Sequence, residues 1–164
     1  METKSNAAKQ SRIKPISIDR SFDLPLDTVW KAWTEPESCK KWWGPKDFTC
    51  PACEIDLRVG GKYLSCMKSP EGKEYWSTGT FREIVPMKKL VYEDNFADSK
   101  GNIVPPSYYD MPGEWANVIV SVELEDAGKK TRITMDQTGI PEEMHDDCVQ
   151  GWLESFDKLE KNLK

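Results

Sequence analysis

The segment 141–164 carries the clearest periodic signal in the chain and limits the folds that the chain can adopt. Its apolar residues recur every three or four positions, a spacing that places them on one face of an α-helix. The residues on that face are Met144, Cys148, Trp152, Ser155 or Phe156, Leu159 and Leu163. A long amphipathic helix needs an apolar partner surface, so we expect the preceding chain to provide one.

The preceding chain has the pattern of an antiparallel sheet. Residues 14–22 alternate apolar and polar side chains, which predicts a first strand with one buried face. Between 47 and 138, turn residues recur at 60–61, 70–72, 86–88, 98–113 and 126–128, a spacing typical of a meander. Residues 98–113 hold three of the eleven prolines and no periodic pattern, which predicts a long mobile loop able to act as a lid.

Two short helices are predicted after the first strand. Pro25 suits the first turn of a helix over 25–33, and Pro36 permits a second helix over 37–43 that ends before Gly44. The predicted fold class is therefore α+β, with a curved antiparallel sheet of about six or seven strands and a long C-terminal helix packed across it. Residues 1–13 are polar and aperiodic, so we expect a disordered tail followed by a single domain over 14–164.

Composition removes several classes of function. The formal net charge is −5, which disfavours binding to a nucleic-acid backbone. No apolar run approaches the roughly 20 residues that a membrane span needs, and the first residues lack the apolar core of a secretory signal. We therefore expect a cytoplasmic protein with no nucleic-acid partner and no membrane span.

Cysteine usage agrees with a reducing compartment. The five cysteines are an odd number without an export signal, so a disulfide framework is not expected. Cys50 and Cys53 form a CxxC pair, which can be redox-active or half of a zinc site. The only histidine is His145, beside Asp146 and Asp147, and we interpret it as solvated. Because strand positions 50 and 53 should point to opposite faces, the sequence predicts no metal site and no cofactor.

Five motifs in fixed order resemble a known family. They are PLDTVWKAWTEP at 25–36, KKWWGP at 40–45, DLRVGGKY at 56–63, GTFREIVPMKKLVY at 79–92 and GWLESFDKLEKNL at 151–163. The chain resembles the START-like (SRPBCC) superfamily, and within it the homologues of the activator of the 90-kDa heat-shock chaperone ATPase. The resemblance implies a helix-grip fold. It also implies a possible chaperone partner, although the separate chaperone-binding domain of the true activators has no counterpart among the motifs.

Strand alternation and helical spacing together predict an apolar cavity between the sheet and the last helix. The predicted function is the binding of a small hydrophobic or amphipathic molecule there, and the open alternative is a fully packed core. The predicted ligand-binding residues are Trp43, Tyr63, Met67, Phe81, Tyr92, Phe96, Met135, Met144 and Trp152.

Two other functional classes stay open. A chaperone-regulating module rests on the family resemblance alone. A cyclase, dehydratase or hydrolase needs an inward acid or base, and strand position offers Glu83 and Asp94. Since no nucleophile elbow, phosphate-binding loop or dinucleotide fingerprint occurs, the sequence assigns no catalytic residue.

Overall fold

Seven strands form one antiparallel sheet in the computed structural model, which describes residues 15–164. The strands are β1 (Ile16–Phe22), β2 (Thr49–Ile55), β3 (Lys62–Lys68), β4 (Glu74–Val85), β5 (Lys89–Ala97), β6 (Val118–Ala127) and β7 (Lys130–Thr138). Their order is β1-β7-β6-β5-β4-β3-β2, so the first strand of the chain pairs with the last and the others form a meander. The predicted antiparallel sheet is confirmed, whereas the predicted tail 1–13 lies outside the described residues.

The helices lie where the sequence predicts them, with different boundaries. Helix α1 is Leu26–Thr34, with Pro25 as its N-cap, and α2 is Pro36–Cys39. The predicted second helix over 37–43 is too long, because the chain after α2 continues in tight turns such as Trp42 N–H to Cys39 O. The last helix, α3, is His145–Asn162 and follows a single 3-10 turn at Glu142–Met144.

Helix α3 packs across the sheet as its amphipathic pattern predicts. Phe156 and Leu159 are fully buried, and the Phe156 ring meets the Phe22 ring of β1 edge to face at 5.5 Å. Burial of each such side chain contributes about 1.5–3 kcal/mol to stability. Arg20 on β1 adds ion pairs to Asp157 and Glu160 at 2.8 and 3.3 Å. The sheet therefore curls around the helix on its apolar face.

A cluster of tryptophans closes the helical end of the core. Trp42 is fully buried and donates its indole N–H to the carbonyl of Ala32 at 2.8 Å. Its ring contacts those of Trp33 and Trp43, with centroids 4.9 and 5.2 Å apart. Trp42 is thus a core residue, whereas its neighbour Trp43 is only partly buried and reaches the space beside α3.

Candidate ligand-binding cavity

A cavity of about 620 Å³ lies between the sheet and α3. Ligand pockets in proteins commonly enclose roughly 300–1,000 Å³, so this space is large enough for a small organic molecule. Strands β3 to β7 supply one side, and α3 supplies the other with residues from Asp147 to Ser155. The structure thus has space at this end of the sheet, where the sequence predicts a cavity.

The nine predicted ligand-binding residues divide into two groups. Five line the cavity: Trp43, Met67, Phe96, Met144 and Trp152. Four lie elsewhere in the core: Met135 is fully buried, and Tyr63, Phe81 and Tyr92 surround a second space of about 30 Å³. A space of that size holds about one water molecule, so the structure does not bring these four to the wall of the larger cavity.

The segment 98–113 covers one side of the cavity. It contains a 3-10 helix, Pro106–Tyr109, and its residues Ile103, Val104 and Met111 line the cavity. The buried Tyr109 anchors the segment, since its hydroxyl donates to the Ala97 carbonyl at 2.5 Å and accepts the Trp76 N–H at 3.0 Å. The segment thus has the position that a lid requires. It is also tied to the end of β5 by the hydrogen bond from the Val104 N–H to the Phe96 carbonyl at 2.9 Å and by a β-bridge between Ile103 and Ala97.

Gly151 leaves space at the helical wall. It lies in the middle of α3, next to Trp152. A Cβ atom added to it would meet nothing within 4 Å. Glycine destabilises a helix interior by about 1 kcal/mol relative to alanine. Trp152 beside it is fixed by a hydrogen bond from its indole N–H to the side-chain oxygen of Gln137 on β7, at 2.8 Å. One residue thus opens the cavity while the next is held in place.

Asp94 on β5 brings a carboxylate to the apolar wall. Its Oδ1 accepts a hydrogen bond from the hydroxyl of Tyr63 at 2.5 Å. Burial raises the pKa of Asp94 to about 6, and the hydrogen bond from Tyr63 partly opposes this rise. The titratable neighbours Tyr63, Tyr92 and Cys148 all have pKa values raised by burial, so they are neutral at physiological pH.

Of the two acids considered for catalysis, only Asp94 faces the cavity. Glu83 is exposed and forms an ion pair with Lys89 at 3.3 Å. A β-bulge between Phe81 and Glu83 interrupts the alternation on which its predicted inward position depended. His145 also lies away from the cavity wall, half-buried with Nε2 at 3.3 Å from the Ile140 carbonyl, so its predicted solvation is only partial.

The predicted orientation of Cys50 and Cys53 to opposite faces is wrong. A β-bulge between Thr49 and Ala52 changes the register, and both thiols are buried in one cluster with Cys39 of α2. A hydrogen bond from the Cys39 thiol lowers the pKa of Cys50. Within residues 15–164, no group of histidine, cysteine and acidic side chains has the arrangement of a metal site. The absence of a metal therefore stays a prediction, but the orientation of the two thiols no longer supports it.

Several cavity residues are absent from the predicted set. They include Tyr75, Asp94, Trp115, Gln137, Ile140 and Cys148. Asp94 lies two residues from both Tyr92 and Phe96, and Gln137 lies two residues after Met135, so alternation places both on the inward face. A search restricted to apolar residues misses them because they are polar.

Across the part of the chain that the structure describes, no helix has the length and apolarity needed to cross a membrane.

The curved antiparallel sheet, the long helix that it grips and the cavity between them define a helix-grip protein of the START-like superfamily. Residues 23–164 match the model of the family described as Activator of Hsp90 ATPase homolog 1-like protein, and the chain belongs to that family. No match was found among curated proteins.

Solved structures from several bacteria share the fold. A protein from Nitrosomonas europaea is 26% identical with a TM-score of 0.74, and the alignment covers 92% of this chain and 94% of that one. A protein from Arthrobacter aurescens is 28% identical with a TM-score of 0.73, over 90% and 84% of the two chains. The AHSA1 protein from Silicibacter pomeroyi, at 22% identity and TM-score 0.72 over 91% and 96%, supports the fold alone.

Proposed function

We propose that the protein binds a small apolar or amphipathic molecule in the cavity between the sheet and α3. The observation that carries the proposal is the cavity itself, about 620 Å³ in volume and lined mainly by apolar side chains. Burial of apolar ligand surface in such a space is favourable by about 25 cal/mol per Å². Met67 and Met144 on its wall are flexible side chains that adapt to ligands of different shape.

The cost of Gly151 to helix stability supports the same proposal. The position has room for a side chain, and almost any other residue would favour the helix more. A glycine there lowers helix stability and keeps the cavity open, as expected where a ligand needs the space. We expect the ligand to enter beside the segment 98–113, because movement of that segment would leave the strands of the sheet in place.

The test uses N-phenyl-1-naphthylamine, an uncharged apolar dye that fluoresces when it leaves water. We expect one dye molecule per chain. Gly151→Leu places a side chain in the cavity and should weaken binding at least about tenfold, a loss of 1.4 kcal/mol or more. Gln150→Leu is the matched control, because it adds the same side chain at an exposed position of the same helical turn.

Two results would count against the proposal. One is a parent protein that binds no dye at any stoichiometry. The other is equal affinity in the Gly151→Leu and Gln150→Leu variants, which would place the dye outside the cavity. Urea unfolding of each variant shows whether a loss of binding reflects a loss of fold.

The other two functional classes have weaker support. A chaperone-regulating role rests on the family description alone, which is a likeness of name rather than of site. An enzyme acting in the same cavity has one inward acid, Asp94, and no second catalytic group placed beside it by the sequence argument. A cytoplasmic location also stays a prediction.

A further inference from the structure

The charged side chains on the cavity wall are all of one sign. Among the described residues that line it, the only ionisable groups with charge at neutral pH are the carboxylates of Asp94 and Asp147. No lysine, arginine or histidine of the described chain belongs to the lining. A cavity that binds fatty acids needs the opposite arrangement, since a ligand carboxylate beside Asp94 is repelled.

Among the described residues, Asp94 has no basic partner, unlike its sequence neighbour Glu93. Its neighbour Glu93 points to the other face of β5 and forms an ion pair with Arg82. Within residues 15–164, Asp94 makes no salt bridge, and the hydrogen bond from Tyr63 satisfies only one of its two oxygens.

A carboxylate in an apolar wall is costly when no cation accompanies it. Buried charges are normally paired, because the protein interior solvates them less well than water does. Tyr63 reduces the cost without removing it, since the pKa of Asp94 still lies at about 6. At pH 7.5 the group is nevertheless mostly ionised, and a cation that entered the cavity would compensate it.

On the basis of the proposed function, we propose that the cavity selects amphipathic amines. The ammonium group of the ligand then lies against the Asp94 carboxylate. The apolar body of the ligand then lies along Met67, Phe96 and Trp152, and the free Asp94 oxygen accepts a charge-assisted hydrogen bond. Asp147 is exposed on α3 at the edge of the cavity, where it adds a negative potential that attracts a cationic ligand.

The test compares three probes with the same alkyl chain, namely decylamine, decanol and decanoate, as competitors of N-phenyl-1-naphthylamine at pH 7.5. We expect decylamine to displace the dye at concentrations about tenfold lower than decanol, with decanoate the weakest. Asp94→Asn should bring decylamine and decanol within about twofold of each other. Asp146→Asn makes the same change of charge at an exposed site near the cavity, and should keep the preference.

Each outcome separates this inference from the proposed function. If the dye binds but the three probes compete equally, or decanoate competes best, the apolar site stands and the selection of amines is wrong. A preference for decylamine that persists in Asp94→Asn also overturns it, because Asp147 or the net negative charge of the protein would then be its source. If the dye does not bind the parent protein, the proposed function itself fails.

Discussion

The hydroxyl group of Tyr63 on β3 donates a hydrogen bond to Asp94 on β5 across the intervening strand β4, with 2.5 Å between the oxygens. Gly79 on β4 is the residue paired with Tyr63. A Cβ atom on Gly79 would lie 2.8 Å from Cε1 of the Tyr63 ring. The absence of a side chain at Gly79 therefore lets the tyrosine cross β4 and reach the carboxylate.

Tyr63→Phe removes this hydrogen bond and should raise the pKa of Asp94 above its value of about 6. A hydrogen bond to a charged group contributes roughly 1.5–3 kcal/mol, which corresponds to a shift of about one to two pH units. An NMR titration of the side-chain carboxyl carbons checks this, with Asp94→Asn identifying the signal. An unchanged or lower midpoint in the variant would show that Tyr63 does not stabilise the ionised form.

Asp94→Asn should stabilise the protein at alkaline pH. A carboxyl whose pKa is raised on folding binds its proton more tightly in the folded state, so its contribution to stability falls as pH rises from about 4 to about 6. Above about pH 7, where the folded state has also lost the proton, the cost is complete. With a discount for its partial exposure, we expect the variant to gain about 1–2 kcal/mol at pH 8.

Urea unfolding of the parent and the Asp94→Asn variant at pH 4.5 and pH 8 measures this gain. The difference between the two proteins should shrink toward the lower pH, where the parent holds the proton. A variant that is less stable at pH 8 would mean that the ionised carboxylate has a favourable partner in the fold.

Gly79→Ala should destabilise the protein strongly. The added Cβ would lie 1.6 Å from the carbonyl oxygen of Glu93, so β4 and β5 have to move apart. We expect a loss of about 3 kcal/mol or more in the free energy of unfolding. Gly151→Ala makes the same chemical change where a Cβ meets nothing, and should instead gain up to about 1 kcal/mol from helix propensity. Equal effects from the two substitutions would contradict this account.

Local patterns were sufficient to predict the order of elements. The spacing of Phe156 and Leu159 predicts the buried face of α3, and the alternation of Ile16, Ile18 and Phe22 predicts β1. These signals are strong because one face of each element is buried and the other is not. The boundary of α2 was wrong because the change from helix to 3-10 turns after Cys39 leaves no mark in the spacing of apolar residues.

The residues that line the cavity could be predicted only in part. Alternation shows on which face of the sheet a side chain lies, but not whether that part of the face meets the core or the cavity. Tyr63 and Met67 share a face of β3, but Tyr63 lies in the core and Met67 lines the cavity. The bulges before Ala52 and Glu83 also change which side chains point inward. Pro51 is a sequence signal for the first bulge, whereas the residues before Glu83 carry none. Strand position predicts that Asp94 points inward, but its hydrogen bond from Tyr63 depends on contacts across three strands.

Met67 and Met135 are equivalent in the sequence pattern but not in the structure, and tryptophan substitutions at both distinguish an open cavity from a packed core. Met67→Trp adds volume to the cavity wall, so it should weaken dye binding about tenfold while changing the free energy of unfolding by less than about 1 kcal/mol. Met135 on β7 is fully buried among core residues. Met135→Trp should therefore overpack the core and cost about 1–3 kcal/mol.

Dye affinity and urea unfolding, measured on both variants, give two independent readouts of this pair. In the expected result each variant changes one readout and leaves the other near the parent value, because the added ring enters empty space at Met67 and occupied space at Met135. If Met67→Trp costs as much stability as Met135→Trp and dye affinity is unchanged, the space beside α3 is filled by its own side chains in solution. Regulation of a chaperone through protein–protein interaction would then be the better-supported function.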